Sequence, residues 1–178
     1  MINRRRFIGC VASVSGTIAT ARTTAALANV AGVRALSFVH THTGEELTTT
    51  YWRAGQYEPN ALLRVNRLLR DFRTDEIHPI DPTLLDVLFD LQSKAGSDVP
   101  FQVISGYRSP KTNEMLRHSS DGVAQHSMHL VGRAIDVRLE SLPTNRLGEL
   151  ARSLGRGGVG VYRASDFVHI DTGRVRFW

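Results

Sequence analysis

The chain has 178 residues, of which 42% are hydrophobic, so it can build one domain with a real core, and a disordered chain is excluded. Its formal net charge is +5, yet the first 28 residues hold four arginines and no acidic residue. Removing those four from the 22 basic residues leaves 18, against 17 acidic residues, which argues against a nucleic-acid-binding protein.

Residues 1–28 are predicted to form an export signal. Residues 3–8 contain three successive arginines and resemble a twin-arginine signal, and residues 26–28 (Ala-Leu-Ala) form an A-x-A cleavage site. Arg22 interrupts the weakly hydrophobic stretch between them, which argues against a stable membrane anchor. The only cysteine, Cys10, lies within the signal, so the exported chain would contain no disulfide. We therefore expect a periplasmic protein exported by the twin-arginine route.

The chain after the signal is predicted to be one globular α+β unit. Residues 29–57 form an N-terminal hairpin segment, with strands at 34–40 and 47–52, and residues 58–178 form the core. Helices and strands in the core do not alternate regularly, which favours a small antiparallel sheet with helices packed on one side. The predicted helices are 59–72, 82–95, 110–117 and 143–154, and the predicted core strands are 101–104, 133–139, 158–162 and 167–171.

His129, Asp136 and His169 have the residue types of a catalytic metal site. Two imidazoles and one carboxylate leave one position of a tetrahedral zinc open for water. Alternation along the two predicted strands puts Asp136 and His169 each on the face opposite an apolar one, so one ion can bridge all three side chains if the strands are neighbours. Asp166, three residues before His169, is well placed to accept a proton. From the spacing alone, ordinary polar residues at strand ends remain the alternative.

Three patterns together carry a family resemblance. Residues 105–109 are Ser-Gly-Tyr-Arg-Ser, residues 127–136 follow S-x-H-x-x-G-x-A-x-D, and residues 166–169 follow D-x-x-H. They resemble the zinc D-Ala-D-Ala carboxypeptidase family, which shares its fold with lysostaphin-type peptidases, VanX-type dipeptidases and the hedgehog signalling domain. The chain is most similar to the exported murein endopeptidase K type, which also has the twin-arginine leader and matches residues 36–52 and 157–178.

The resemblance implies one Zn²⁺ per chain, held by His129, Asp136 and His169. It implies that Asp166 is the general base and then the general acid for the leaving amine. Asp171 is the fallback base, or else a partner that orients a histidine.

The resemblance also implies that Arg108 binds the substrate carbonyl or the developing oxyanion, the alternative being a structural arginine that ties a loop to a carboxylate. Ser105 and Ser127 are candidates to orient ligands or backbone, with structural roles as the alternative. Tyr107 belongs either to the core or to the cleft, and His126 either lines the cleft or contacts substrate.

The implied function is an exported zinc metallopeptidase that hydrolyses stem-peptide or cross-link amide bonds of peptidoglycan during cell-wall remodelling, with cross-link cleavage favoured. The alternatives are a D-Ala-D-Ala carboxypeptidase and a non-catalytic, zinc-containing module that binds the cell wall. Specificity is expected to depend on cleft loops such as residues 119–125.

The remaining histidines and the arginine-rich helix are expected to be on the surface. His40 and His42 are predicted to be solvated on the hairpin, because no third ligand accompanies them. His78 and His118 are predicted to be surface residues. The arginines at helical spacing within residues 59–72 are predicted to form a solvated face, namely Arg64, Arg67, Arg70 and Arg73.

Overall fold

The computed structural model describes residues 32–119 and 123–178. The predicted export signal and its cleavage site lie outside these residues. The described residues have an α+β fold, as expected, with one eight-stranded sheet and four α-helices. The helices are α1 (Pro59–Leu68), α2 (Pro82–Ala95), α3 (Pro110–Ser119) and α4 (Thr144–Leu154). The strands are β1 (Val33–His40), β2 (Glu46–Arg53), β3 (Gln56–Tyr57), β4 (Phe101–Ser105), β5 (Ala134–Arg138), β6 (Gly158–Tyr162), β7 (Phe167–Asp171) and β8 (Arg176–Phe177).

The sheet is mixed, where an antiparallel one was expected. Its strand order is β3-β2-β1-β4-β5-β7-β6-β8, and the pairs β1/β4 and β6/β8 are parallel. The long connection through α1 and α2 allows β1 and β4 to run in the same direction. The chain reverses after β7, so β8 must run antiparallel to β7 and therefore parallel to β6. The β1/β4 pairing also joins the N-terminal hairpin to the sheet of the core; the domain boundaries themselves stay a prediction.

Helices α1, α2 and α4 pack on one face of the sheet. Leucines of α2 and α4 share a single apolar core with alternate residues of the central strands, including Ile135, Val137, Val168 and Ile170. The intervening residues Asp136 and His169 therefore lie on the opposite face, as the alternation predicted. Within residues 32–119 and 123–178, a helix with the length and hydropathy of a membrane span is absent.

The second helix is capped as its sequence suggests. The Asp81 carboxylate accepts a hydrogen bond from the Thr83 N–H at 3.0 Å, Pro82 occupies the first turn, and Gly96 ends the helix with φ 60°. The first helix is shorter than predicted and ends at Leu68. The chain then turns, and Asp71 forms an antiparallel β-bridge with Glu76. Arg70 and Arg73 therefore lie beyond the end of the helix.

Two surface predictions in this region are wrong. His40 is fully buried, with its ring 5.4 Å from that of Phe72, because it continues the inward-facing positions of β1. His42 is exposed, as predicted, and its ring stacks on that of Phe72 with centroids 4.3 Å apart. Arg70 is buried beyond the end of α1 and pairs with Glu45 at 2.7 Å, so it does not belong to a solvated helix face.

Candidate metal centre

A row of four residues crosses the sheet on the face opposite the core. Ser105 of β4 pairs with Asp136 of β5, Asp136 pairs with His169 of β7, and His169 pairs with Gly160 of β6. The register of β4 shifts between Val103 and Ser105, and this irregularity turns Ser105 toward the row. Strand pairing thus brings a carboxylate and an imidazole side by side.

His129 reaches this row from a short 3-10 helix, Met128–Val131. The Ser127 hydroxyl accepts a hydrogen bond from the His129 N–H at 3.3 Å, so Ser127 caps this helix, one of the roles predicted for it. Gly132 ends the helix with φ 65°, and an added Cβ at this position would collide with the Pro79 carbonyl. A backbone hydrogen bond from Arg108 to the His129 carbonyl at 3.2 Å ties the turn to the end of β4.

The side chains of His129, Asp136 and His169 converge on one point. Asp136 Oδ1 lies 3.2 Å from His129 Nε2 and 2.9 Å from His169 Nδ1, and the two nitrogens are 3.2 Å apart. All three residues are buried. Two imidazole nitrogens and a carboxylate oxygen that meet in this way fit a divalent cation, and among the described residues no other group of His, Cys, Asp and Glu does so.

The outer nitrogen of each histidine has a fixed partner. His129 Nδ1 lies 2.6 Å from the Gly106 carbonyl oxygen, and His169 Nε2 lies 3.0 Å from Asp171 Oδ2. Such partners set the tautomer and orient the inner nitrogen toward a metal. Asp171 is completely buried, so its position favours the orienting role over that of a base.

The second oxygen of Asp136 is bound by an arginine. Arg108 Nη2 donates to Asp136 Oδ2 at 2.5 Å, and its Nε donates to the Ser105 hydroxyl at 3.0 Å. Ser105 therefore orients Arg108. Arg108 thus ties its loop to the Asp136 carboxylate, which is the structural role given as the alternative in the sequence analysis. It also lines the cleft. Its Nη1 has no hydrogen bond within the described chain, so one donor group remains for a substrate.

Burial and charge shift the pKa values of the three residues in different directions. Burial raises the pKa of Asp136, but the contacts with His129 and His169 outweigh it and hold this pKa well below its usual range. Complete burial lowers the pKa of His129. Burial also lowers the pKa of His169, but the hydrogen bonds to Asp136 and Asp171 outweigh it and raise this pKa. Protonation of His169 therefore competes with a metal ion.

The three residues form the base of a cleft of about 440 Å³. His126 and Ser127 line it, as their sequence positions suggested. The cleft is also lined by residues for which no site role was predicted, Tyr162, Phe167, Arg176 and Trp178.

Two predicted site residues lie elsewhere. Tyr107 is buried and stacks on His78 with ring centroids 4.7 Å apart, so it belongs to the core. Asp166 does not meet the metal ligands. Its carboxylate accepts a hydrogen bond from Thr144, pairs with Arg138 at 3.5 Å, and lines a separate depression. The reason is local, because Asp166 adopts φ 51° at the end of a 3-10 turn.

A buried pair of imidazoles with one carboxylate, at the base of an open cleft, is the arrangement of a metal-dependent hydrolase. The sequence comparison agrees with this class. Residues 28–178 match the family model described as peptidoglycan L,D-endopeptidase MepK. The chain belongs to this family of metal-dependent peptidases.

Named relatives match over most of their length. A protein of Haemophilus influenzae, named a probable peptidoglycan L,D-endopeptidase MepK, is 36% identical over 177 residues, which cover 99% of this chain and 95% of the relative. The peptidoglycan L,D-endopeptidase MepK of Escherichia coli K12 is 42% identical over 145 residues, which cover 82% of this chain and 80% of the relative. A relative of the same name from Shigella flexneri gives the same values.

Proposed function

We propose that this chain is a zinc-dependent endopeptidase that hydrolyses cross-link amide bonds of peptidoglycan. The observation that carries the proposal is the buried convergence of His129, Asp136 and His169 in an open cleft. The names of the relatives supply the substrate, and their L,D designation favours links of that stereochemistry over other bonds.

Zinc is proposed because of the donor set. His129 Nε2, Asp136 Oδ1 and His169 Nδ1 would hold the ion. When bound, zinc supplies Lewis-acid polarisation of a carbonyl and lowers the pKa of water toward neutrality. Each imidazole is already oriented by its outer hydrogen bond, so little rearrangement is needed to accept the ion.

Arg108 is proposed to stabilise the negative charge that develops on the substrate carbonyl oxygen. Its guanidinium is fixed by Asp136 and Ser105, which leaves Nη1 to donate to that oxygen. A donor that is fixed in advance stabilises the transition state more than the ground state.

Two residues are candidates for the group that accepts the proton of the attacking water. The family resemblance assigns this role to Asp166, which would have to leave Thr144 and Arg138 to perform it. His126 already lines the cleft with an exposed imidazole, and imidazole is the side chain that most often serves as a general base. The position in the cleft favours His126 as the proton acceptor, whereas the family resemblance favours Asp166.

The test is digestion of purified sacculi by the chain lacking residues 1–28, with added zinc and with a chelator, and identification of the products by mass. We expect zinc-dependent loss of cross-linked dimers, abolished in His169→Ala. Release of terminal D-Ala alone would replace the proposal with a carboxypeptidase. Bound zinc without any product would replace it with a wall-binding module.

We also propose that the chain acts in the periplasm after twin-arginine export. The arginines at residues 4–6 and the peptidoglycan substrate named for the relatives support this. Cell fractionation with Arg5→Lys and Arg6→Lys together should leave the protein in the cytoplasm, whereas an unchanged periplasmic fraction would contradict this route.

A further inference from the structure

The end of the chain builds the wall of the cleft next to His169. The indole ring of Trp178 lies 5.4 Å from the His169 ring, and its Nε1 donates to the Tyr162 hydroxyl at 2.9 Å. A Cβ at Gly160 would come within 2.5 Å of the indole, so the ring lies directly over this glycine. Trp178 is nevertheless 47% exposed. A fixed aromatic surface therefore stands beside the metal ligands and remains open to a ligand.

Arg176 lines the same cleft, and only some of the N–H groups of its guanidinium donate hydrogen bonds within the described chain. Its Nη1 and Nη2 donate to the two oxygens of Asp171 at 3.1 and 2.7 Å, and Nη1 also donates to the Arg174 carbonyl. Within the described chain, Nε makes no hydrogen bond, and Nη2 uses one of its two N–H groups. Nε and Nη2 form one edge of the planar group, which matches a carboxylate bidentately.

The free edge of Arg176 and the ring of Trp178 are neighbours. The guanidinium carbon lies 5.0 Å from the indole centroid, so Asp171 and the ring together hold the cation in place. One ligand can therefore contact an apolar plane and a charged fork at once. Such a pair suits a residue that combines a straight aliphatic chain with a carboxylate.

We propose that Trp178 and Arg176 form the subsite that recognises a free carboxylate, and the aliphatic chain behind it, next to the scissile amide. The proposal rests on the proposed endopeptidase function. In cross-links made through a diamino dicarboxylic acid, the carbon that bears the amide nitrogen also bears a free carboxylate. Trp178 contacts the methylene chain of that residue, and Arg176 binds its carboxylate, so both select the cross-link that the metal site cleaves.

The test compares two synthetic cross-linked peptides that differ only in whether this carboxylate is free or amidated. With the zinc-loaded enzyme, we expect kcat/KM to be about 10- to 100-fold higher for the free acid, the usual range for a charge-assisted pair. Arg176→Gln should reduce this ratio to about 1, because kcat/KM falls much more for the free acid than for the amidated peptide. A fall of equal size for both peptides would overturn the proposal, because it would mean that Arg176 acts only through Asp171.

Trp178→Ala should raise KM about tenfold for both peptides, with little change in kcat, because the lost surface contacts the chain and not the carboxylate. Trp178→Phe should restore most of the affinity. The matched controls are Phe177→Ala, an exposed aromatic next to Trp178 and outside the cleft, and Arg174→Gln, a neighbouring exposed arginine. Both controls should behave as wild type.

Failure of the enzymatic proposal is measured separately. If the wild-type protein cleaves neither peptide, binding of both peptides is followed by the fluorescence of Trp178 in the Trp52→Phe protein, which then holds a single tryptophan. Tighter binding of the free acid, lost in Arg176→Gln, would support the subsite without the reaction. Equal binding of both peptides would overturn it.

Discussion

Two arginine–carboxylate pairs flank the candidate metal ligands, and their carboxylates have different tasks. In the Arg108–Asp136 pair, the carboxylate is itself a proposed metal ligand and binds the arginine with its second oxygen. In the Arg176–Asp171 pair, the carboxylate contacts the outer nitrogen of His169 and never reaches the metal position. The same chemical pair thus serves once inside the site and once behind it. Replacing either carboxylate should therefore give effects of different size and kind.

The largest effect is expected from the pair inside the site. Asp136→Asn removes the anionic ligand and presents an amide to Arg108, so stoichiometric zinc binding should be lost and sacculus digestion should fall by at least about 1000-fold. Metal content per chain after gel filtration, with the unfolding temperature as a control for folding, measures this. One zinc per chain in the folded variant would contradict the assignment of Asp136 as a ligand.

Removing the arginine of the same pair should affect the reaction more than the metal. Arg108→Met is expected to lower kcat by about 100- to 1000-fold, the usual cost of losing a fixed donor to a developing oxyanion, while zinc stoichiometry stays near one. Steady-state kinetics with a cross-linked peptide and metal analysis of the same sample measure both quantities. Loss of zinc together with activity would instead assign Arg108 to holding Asp136 alone.

The pair behind the site should act through affinity for the ion. Asp171→Asn is expected to weaken zinc binding by about 10- to 100-fold, because the partner that orients His169 is altered, while activity at saturating zinc falls much less. Competition with a fluorescent chelator gives the dissociation constant. A kcat loss of 100-fold or more at saturating zinc would make Asp171 a direct participant and would remove the contrast between the two pairs.

Neither pair supplies a proton acceptor, so this group must come from elsewhere. Within the described chain, His126 is the only imidazole or carboxylate that lines the cleft apart from the proposed metal ligands. We expect His126→Gln to lower kcat about 100-fold and Asp166→Asn to keep it within about threefold. The reverse order of these two effects would restore the role that the family resemblance gives to Asp166.

The loop that carries Arg108 is held in place by Asp71. A substitution of Asp71 is expected to have the smallest effect. Asp71 is buried and accepts hydrogen bonds from the Ser109 N–H and hydroxyl at 2.9 and 2.7 Å. Burial alone raises the pKa of Asp71, but hydrogen bonds, above all those from Thr112 and Ser109, outweigh it and hold this pKa below its usual value. Its carboxylate therefore stabilises the fold above about pH 4, and this contribution is lost as the pH falls through the folded pKa.

Asp71→Asn should accordingly lower the free energy of unfolding by about 1–3 kcal/mol at pH 7, and the difference from wild type should shrink below pH 4. Urea unfolding at several pH values measures this. A difference that does not change between pH 7 and pH 3 would show that the charge of Asp71 is unimportant for the loop.

The central strands and the ligand face could be predicted because their signal is local. The bounds of β6 and β7 match the prediction, and the alternation around Asp136 and His169 separates apolar from polar positions clearly. Alternation could also have placed His40 in the core, since it follows Leu36 and Phe38 at every second position. The predicted exposure of His40 rested on the absence of a third metal ligand, which carries no information about burial, whereas the alternation does.

The parts that could not be predicted depend on tertiary pairing. Strand β8 has two residues and exists because it pairs with β6, so neither Arg176 nor Trp178 has a local pattern that marks it as part of a cleft. The shift in β4 that aims Ser105 has no sequence signature either. Asp166 is the opposite case, because its sequence pattern is clear and its position is not. The family pattern assigns Asp166 to the site, but its backbone at φ 51° directs the carboxylate to Thr144.

The three ligand atoms come from two strands and a 3-10 turn, and they meet only when the sheet is complete. The unfolded chain has no such meeting point, so the free energy of ion binding adds to that of folding through thermodynamic linkage. A free zinc concentration 100 times the dissociation constant would raise the stability of the native state by about 2.7 kcal/mol. On the proposed function, zinc supply would therefore be a determinant of the lifetime of this protein, because a chain without its ion would unfold more often and meet proteases more often.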